Sequence, residues 1–254
     1  GNSAVQVGSQ GVLLVDTQAA SQADPVFAAI RTLSPDPIHY VVNTSVHDEA
    51  AGSNEAFARL GPTRKDADPP QAGIGGNTGA DTVMVAHENV LNRMTANGPD
   101  RRPSIAWPVD TYFSDRTEIF FNGEPVQLYH APAAHTDGDL LLWWEDANVV
   151  HVGDVYYSGT YPFIDLGSGG SLAGVVAALE TVLSRADSRT IIIPGHGPVS
   201  NRAELAAYRD MLVATGRRVR ELIGEGRNLD EVLAARPTAA YDAVFGQGSM
   251  TVER

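Results

Sequence analysis

Cysteine is missing from the chain altogether. That absence excludes disulfides, thiolate zinc sites, iron–sulfur clusters and a Cys nucleophile. Lysine is nearly missing too, with Lys65 the only one, so arginine supplies almost all of the 18 basic side chains against 31 acidic ones. The resulting formal charge of −13 opposes a polyanionic partner, so nucleic acid is not expected, and no membrane partner is expected either. No apolar run approaches the roughly 18–20 residues that a bilayer span needs. What remains is an ordinary globular balance, 43% hydrophobic and 19% charged over 254 residues, enough for one large domain or two modest ones. The chain starts at Gly1 and runs directly into strand-like sequence. A removed leader or a trimmed start is expected, and an exported, periplasmic setting is favoured over a cytoplasmic one.

Hydrophobic patterning divides the chain into strands and helices. "SAVQVG" (3–8) alternates and "GVLLVDT" (11–17) is nearly continuous apolar, a hairpin leading into a buried strand. Helical spacing follows over 23–33, then a strand over 38–44, a short helix over 54–60, a strand over 81–86 and a helix over 87–94. Strands return at 117–121 and 125–131 around Asn122-Gly123, and at 139–144 and 148–154 around a turn at 145–147. Helices over 171–185, 200–224 and 229–235, with a strand over 189–195, finish the pattern. Two stretches, 61–80 and 95–117, lack periodicity. Loops of that length inside a compact domain are expected to be lids, substrate walls or mobile segments. Trp107 lies in the second, where an exposed indole would mark a flap over substrate. Paired strands with interleaved helices imply two sheets covered by helices.

The chemistry-bearing residues gather at strand exits. His47 sits in "NTSVHDEAAGSN" (43–54), His135 follows "HAPAA", His196 lies in "IIIPGHGPV", and Asp154 ends a strand in "HVGDVYY". Imidazole nitrogens and carboxylate oxygens at strand ends can converge on one sheet edge and hold an ion such as Zn²⁺. Each residue alone reads equally well as a hydrogen-bonded turn residue. Four in order, two of them in Gly-rich turns, favour the metal. A Ser-His-Asp hydrolase is set aside for want of a Gly-x-Ser-x-Gly elbow, "GSGGS" (167–171) having the wrong spacing. The same glycines lack the Lys-Ser/Thr of a phosphate-binding loop.

"GVLLVDT", "HAPAAHTDGDL", "HVGDVYYSGTYPFID" and "IIIPGHGP" together make the chain resemble the metallo-β-lactamase superfamily. The resemblance implies an α/β (α+β) fold: one domain over 1–254 built as a four-layer αββα sandwich of two mixed sheets with helices outside. The family's early edge strand is expected to be missing. It also implies a ligand loop of the form His-x-His-x-Asp-His. Here Asn43-Thr44 and Gly52-x-Asn54 set its frame, so Ser45, His47, Glu49 and Ala50 fall at the four ligand positions. His47 matches and two imidazoles are lost. His135, Asp154 and His196 match downstream.

By that resemblance His47, His135 and Asp154 form one residual ligand set, and Glu49, Asp154 and His196 a weaker second. A single ion touching His47, His135, Asp154 and His196 is a third arrangement. One zinc ion is expected, with iron or manganese as alternatives, or no metal at all. Glu49 and Asp154 would serve catalysis, Glu49 as general base. Two functions follow. One is hydrolysis of an ester, thioester or amide-type bond of a small molecule by metal-activated water. The other is an inactive relative that binds a small molecule or a protein partner. His87 and His130 are expected to be structural, His151 core and His39 surface. Asp16 is expected to brace the ligand loop. Tyr156, Tyr157, Tyr161 and Phe163 either line the pocket mouth or pack.

Overall fold

The computed structural model describes residues 1–60 and 82–248. The 61–80 loop therefore lies outside the described residues. The chain divides into two compact units, the first made of Gly1–His130 and Gly138–Ala147, the second of Ala131–Asp137 and the chain from Asn148 onward.

The first unit opens with the expected hairpin, β1 (Ala4–Gly8) antiparallel to β2 (Gly11–Val15). All five residues of β2 are buried, because it is an inner strand with neighbours on both sides. Parallel pairing continues through β3 (Ile38–Val42), β4 (Val83–His87) and β5 (Asp110–Tyr112), giving a mixed sheet in the order β1-β2-β3-β4-β5. Helix α1 (Ala23–Leu33) lays Ile30 on this sheet against Val12, Leu14, Ile38, Val41 and Met84. Phe57 of α3 (Asn54–Leu60) joins the same cluster. Before α3, the ligand-loop region forms a single turn, α2 (Asp48–Ala51). Helix α4 (Glu88–Thr95) contributes Val90 and Met94 to a second cluster with Val46, Ala51 and Ala86.

Strand β5 was not legible in the sequence. It is three residues long, follows Pro108, and is recruited by parallel register with β4 rather than by any periodicity of its own. The indole in the 95–117 stretch is not exposed. Trp107 packs on the Val46–Met94 cluster, and its indole N–H donates to the Arg102 carbonyl at 2.8 Å.

A second five-stranded mixed sheet comprises β6 (Arg116–Phe121), β7 (Glu124–Ala131), β8 (Asp139–Trp144), β9 (Val149–His151) and β10 (Ile191–Ile193). Within the first unit, β6 and β7 form an antiparallel hairpin. Asn122 and Gly123 turn it with φ of 54° and 91°, the left-handed pair that a tight hairpin requires. Within the second unit, β9 and β10 run parallel. Helix α5 (Leu172–Arg185) buries Val175, Ala178, Leu179, Val182 and Leu183, a complete i, i+3, i+4, i+7 stripe, and Ser171 caps it by accepting from Gly174 N–H. The long α6 (Arg202–Gly224) starts at Asn201, whose side chain accepts from Ala203 and Glu204 N–H. α7 (Leu229–Ala234) begins with a capping box of Asn228 and Glu231. α8 (Asp242–Phe245) is a four-residue turn too short to show a pattern. No helix of the described residues is long and apolar enough to cross a membrane.

The end of the second unit is pinned by Tyr161. Its backbone N–H donates to the Phe245 carbonyl at 3.0 Å and its hydroxyl to Asp242 at 2.8 Å, while Arg236 pairs with the same carboxylate at 3.0 Å. Burial, then the bond to Asp242, raises the Tyr161 hydroxyl to a pKa of about 12. A phenol held protonated by folding contributes stability below its unfolded value of about 10, and loses it as the pH climbs toward the folded value. Thermal unfolding followed from pH 9 to 12 should therefore fall steeply above pH 10. Tyr161→Phe, less stable at pH 9, should show a shallower fall across the same window.

Candidate metal centre

The ligand-loop region of the first unit is assembled by hydrogen bonds of its frame residues. Asp16 ends β2 with φ +62° and turns its carboxylate onto Thr44, accepting the backbone N–H at 2.8 Å and the hydroxyl at 2.6 Å. This is the brace that the sequence implied. Asn43 and Asn54 exchange amide hydrogen bonds at 2.7 and 3.0 Å. The Ala50 carbonyl accepts three donors: Thr17 N–H at 2.8 Å, the Asn43 amide at 2.8 Å and the Thr17 hydroxyl at 3.3 Å. Ser45 and Ala50, which stand where the family carries histidines, are both buried. The Ser45 hydroxyl accepts from His47 N–H at 3.4 Å, so it acts as a turn residue. His47 precedes α2 with half-buried exposure and Glu49 is exposed on that turn.

Three segments of the second unit converge. His135 lies fully buried in the turn after β7, where Ala133 adopts φ +49°. The carbonyls of Ala133, Ala134 and His135 accept respectively from the Ser171 hydroxyl, Ser171 N–H and Asp165 N–H, at 2.8 to 2.9 Å. Asp154 sits in the 3₁₀ turn Gly153–Val155, and His151 shapes that turn by accepting Gly153 N–H at 3.2 Å. His196 leaves β10 through Pro194-Gly195. Its carbonyl accepts Ser158 N–H at 2.9 Å, and its ring stacks on Tyr157 at 4.7 Å with the planes 3° apart.

These segments set His135 and His196 on either side of Asp154. One carboxylate oxygen of Asp154 lies 3.4 Å from His196 Nε2 and the other 4.0 Å from His135 Nε2. Both exceed the roughly 2.7–2.9 Å of a charge-assisted hydrogen bond. The shorter matches the edge, about 3.3 Å, of a tetrahedron whose metal–ligand bonds are ~2.0–2.1 Å. Close approach of Gly195 makes this arrangement specific, because a Cβ there would stand 2.2 Å from Asp154 Oδ1. The donor types present, imidazole and carboxylate, suit a divalent ion of the zinc, iron or manganese type.

The remaining histidines have structural places. His87 precedes α4, accepts Asn89 N–H at 3.2 Å and stacks on His130 at 3.6 Å. His151 is fully buried, as expected, but its support of the Asp154 turn was not foreseen. His39 is half-buried with its ring edge-on to Phe121, rather than a plain surface residue. Tyr156, Tyr157 and Tyr161 are all buried, while Phe163 is exposed and meets the His135 ring edge-on at 5.9 Å. Gly195 as a cradle was also missed, although its place between Pro194 and His196 was a signal for it.

Comparison with known proteins assigns the family. The sequence profile of the metallo-β-lactamase superfamily matches residues 1–209, and the chain belongs to that superfamily. The sequence finds no match among proteins of curated function. Among solved structures it is similar to the stereoselective inverting sec-alkylsulfatase Pisa1 from Pseudomonas sp., with a TM-score of 0.67 at 16% identity. That match covers 92% of this chain but only 42% of the alkylsulfatase. It is likewise similar to a metallo-β-lactamase from Pontibacter korlensis, with a TM-score of 0.62 at 17% identity over 82% of this chain and 85% of that one. The DIM-1 metallo-β-lactamase gives 0.62 at 15% identity over 84% and 86%. Likeness at these identities carries the fold, the αββα sandwich of two mixed sheets expected from the sequence.

The Asp16 brace has a measurable weight. Asp16→Ala removes two charge-assisted bonds to a buried Thr and places Ala at positive φ, and should cost about 3 kcal/mol in urea denaturation. Asp16→Asn, which tolerates that φ and keeps acceptor and shape, should cost about half as much.

Proposed function

We propose that the protein is a metal-dependent hydrolase acting on an ester, thioester or amide-type bond of a small molecule, with one zinc ion as its cofactor. The observation that carries the reading is the Asp154 carboxylate, whose two oxygens face two different imidazoles from separate strand ends. His47, His135 and Asp154 would hold the ion. By the family resemblance Glu49, Asp154 and His196 would make a second, weaker set, with Glu49 as base. When bound, such an ion acidifies a water and polarises the substrate carbonyl. The residues of the chain would do the rest. Glu49 Oε accepts the proton of the attacking water, its longer side chain standing in for an aspartate. His196, held flat against Tyr157, keeps its Nε2 on the Asp154 side.

A second reading, an inactive relative that binds a small molecule or a protein partner, is favoured by Ser45 and Ala50. Both ligand positions carry small buried residues, and the Ser45 hydroxyl is committed to the His47 N–H. Metal content separates the two. Protein purified without chelator and supplied in turn with zinc, manganese and iron should retain about one ion per chain by plasma mass spectrometry. His135→Ala should lose it. His196→Ala, at a half-exposed position, should weaken retention while leaving the circular dichroism unchanged. A folded wild type that retains no metal at micromolar supply would sink the hydrolase reading.

A further inference from the structure

Four aromatic residues lie between 156 and 163, and only one faces solvent. Tyr156, Tyr157 and Tyr161 are 2%, 5% and 8% exposed, whereas Phe163 is 41% exposed and Leu166, three residues on, is 77% exposed. Phe163 is not there by laxity of the chain. Its segment is fastened on one side by Tyr161, bonded to Phe245 and Asp242. On the other side Asp165 donates its N–H to the His135 carbonyl, accepts Gly170 N–H on its own carbonyl and takes Ser168 N–H on its carboxylate. A partly exposed apolar ring is thus held beside the imidazole of His135, with centroids 5.9 Å apart. Exposed apolar area costs about 25 cal/mol per Å² relative to coverage, so a pinned ring that leaves 41% of its surface to water beside His135 is suited to a ligand that covers that part.

Charge narrows the class of ligand. From residue 117 to residue 184 the sequence has neither lysine nor arginine, while Asp137, Asp139, Asp154 and Asp165 fall within the same stretch. The stretch that supplies His135, Asp154 and Phe163 therefore has no guanidinium or ammonium to pair with a sulfate or phosphate.

We propose that Phe163, with Leu166, is a specificity-determining platform that selects neutral esters or thioesters carrying an apolar acyl chain of several carbons. The assignment rests on the hydrolase reading above and deepens it by naming the substrate class. Two measurements separate their failures. Binding of octanoate and of acetate to zinc-supplied protein is measured by calorimetry, in wild type, Phe163→Ala and Phe163→Leu. Octanoate should bind wild type at least about tenfold more tightly than acetate. The ratio should drop below about threefold in Phe163→Ala and be largely retained in Phe163→Leu. An unchanged ratio in Phe163→Ala, or no octanoate binding, overturns the platform. Turnover is measured with 4-nitrophenyl acetate, 4-nitrophenyl octanoate and octyl sulfate. A kcat/KM that rises with chain length in wild type and is flat in Phe163→Ala supports the proposal, and preference for octyl sulfate overturns it. Phe163-dependent octanoate binding without cleavage of any ester would leave the platform standing and remove the hydrolase.

Discussion

A carboxylate almost sealed from water, in a chain that already carries an excess of negative charge, is the constraint around which the second unit is arranged. Asp154 is only 7% exposed, and taking an ionised carboxyl out of water is expensive unless something compensates. The fold surrounds it with closely placed neighbours. A 3₁₀ turn shaped by His151 presents the carboxylate, Gly195 passes close enough that no side chain fits, and His135 and His196 arrive on opposite oxygens. Each of these three approaches depends on a backbone carbonyl being claimed by a neighbouring segment: His135 by Asp165, Gly153 by Gly195, His196 by Ser158.

Much of this was legible in the sequence, for physical reasons that differ by element. The buried run of β2, the heptad-like stripe of α5 and the Asn-Gly turn between β6 and β7 each announce themselves through local chemistry. His135, Asp154 and His196 were legible because ligand-type side chains at strand exits among small residues have few other uses. What was hidden is short or non-local. β5 exists because β4 offers an edge, α8 because Tyr161 offers a carbonyl partner and a hydroxyl, and α2 because a four-residue turn has no period. The buried contact of Trp107 was hidden for the same reason. An indole in an aperiodic stretch is read as exposed unless the cluster beneath it, contributed by Val46 and α4, is known. The contrast between Phe163 and its three buried tyrosine neighbours is likewise a matter of tertiary packing.

In the first unit Ser45 and Ala50 carry no imidazole, yet the backbone around them is tightly specified. The specification comes from residues that never touch an ion: Asp16 on Thr44, Asn43 on Asn54, Thr17 on the Ala50 carbonyl. Such buried, fully paired amide and carboxylate networks favour one arrangement strongly, because any slip leaves several polar groups unsatisfied at once.

The Ala50 carbonyl, with its three donors, carries the same lesson into the thermodynamics of cofactor exchange. In small zinc modules the ion's binding energy is the folding energy, so chelation unfolds the chain. Here the loop is knotted by amide and hydroxyl groups independently of any cation. An ion could leave or be replaced without the chain losing its shape. Drift at the exposed residue 49 is therefore inexpensive in structural terms, while drift at residues 16, 17, 43 and 54 is not.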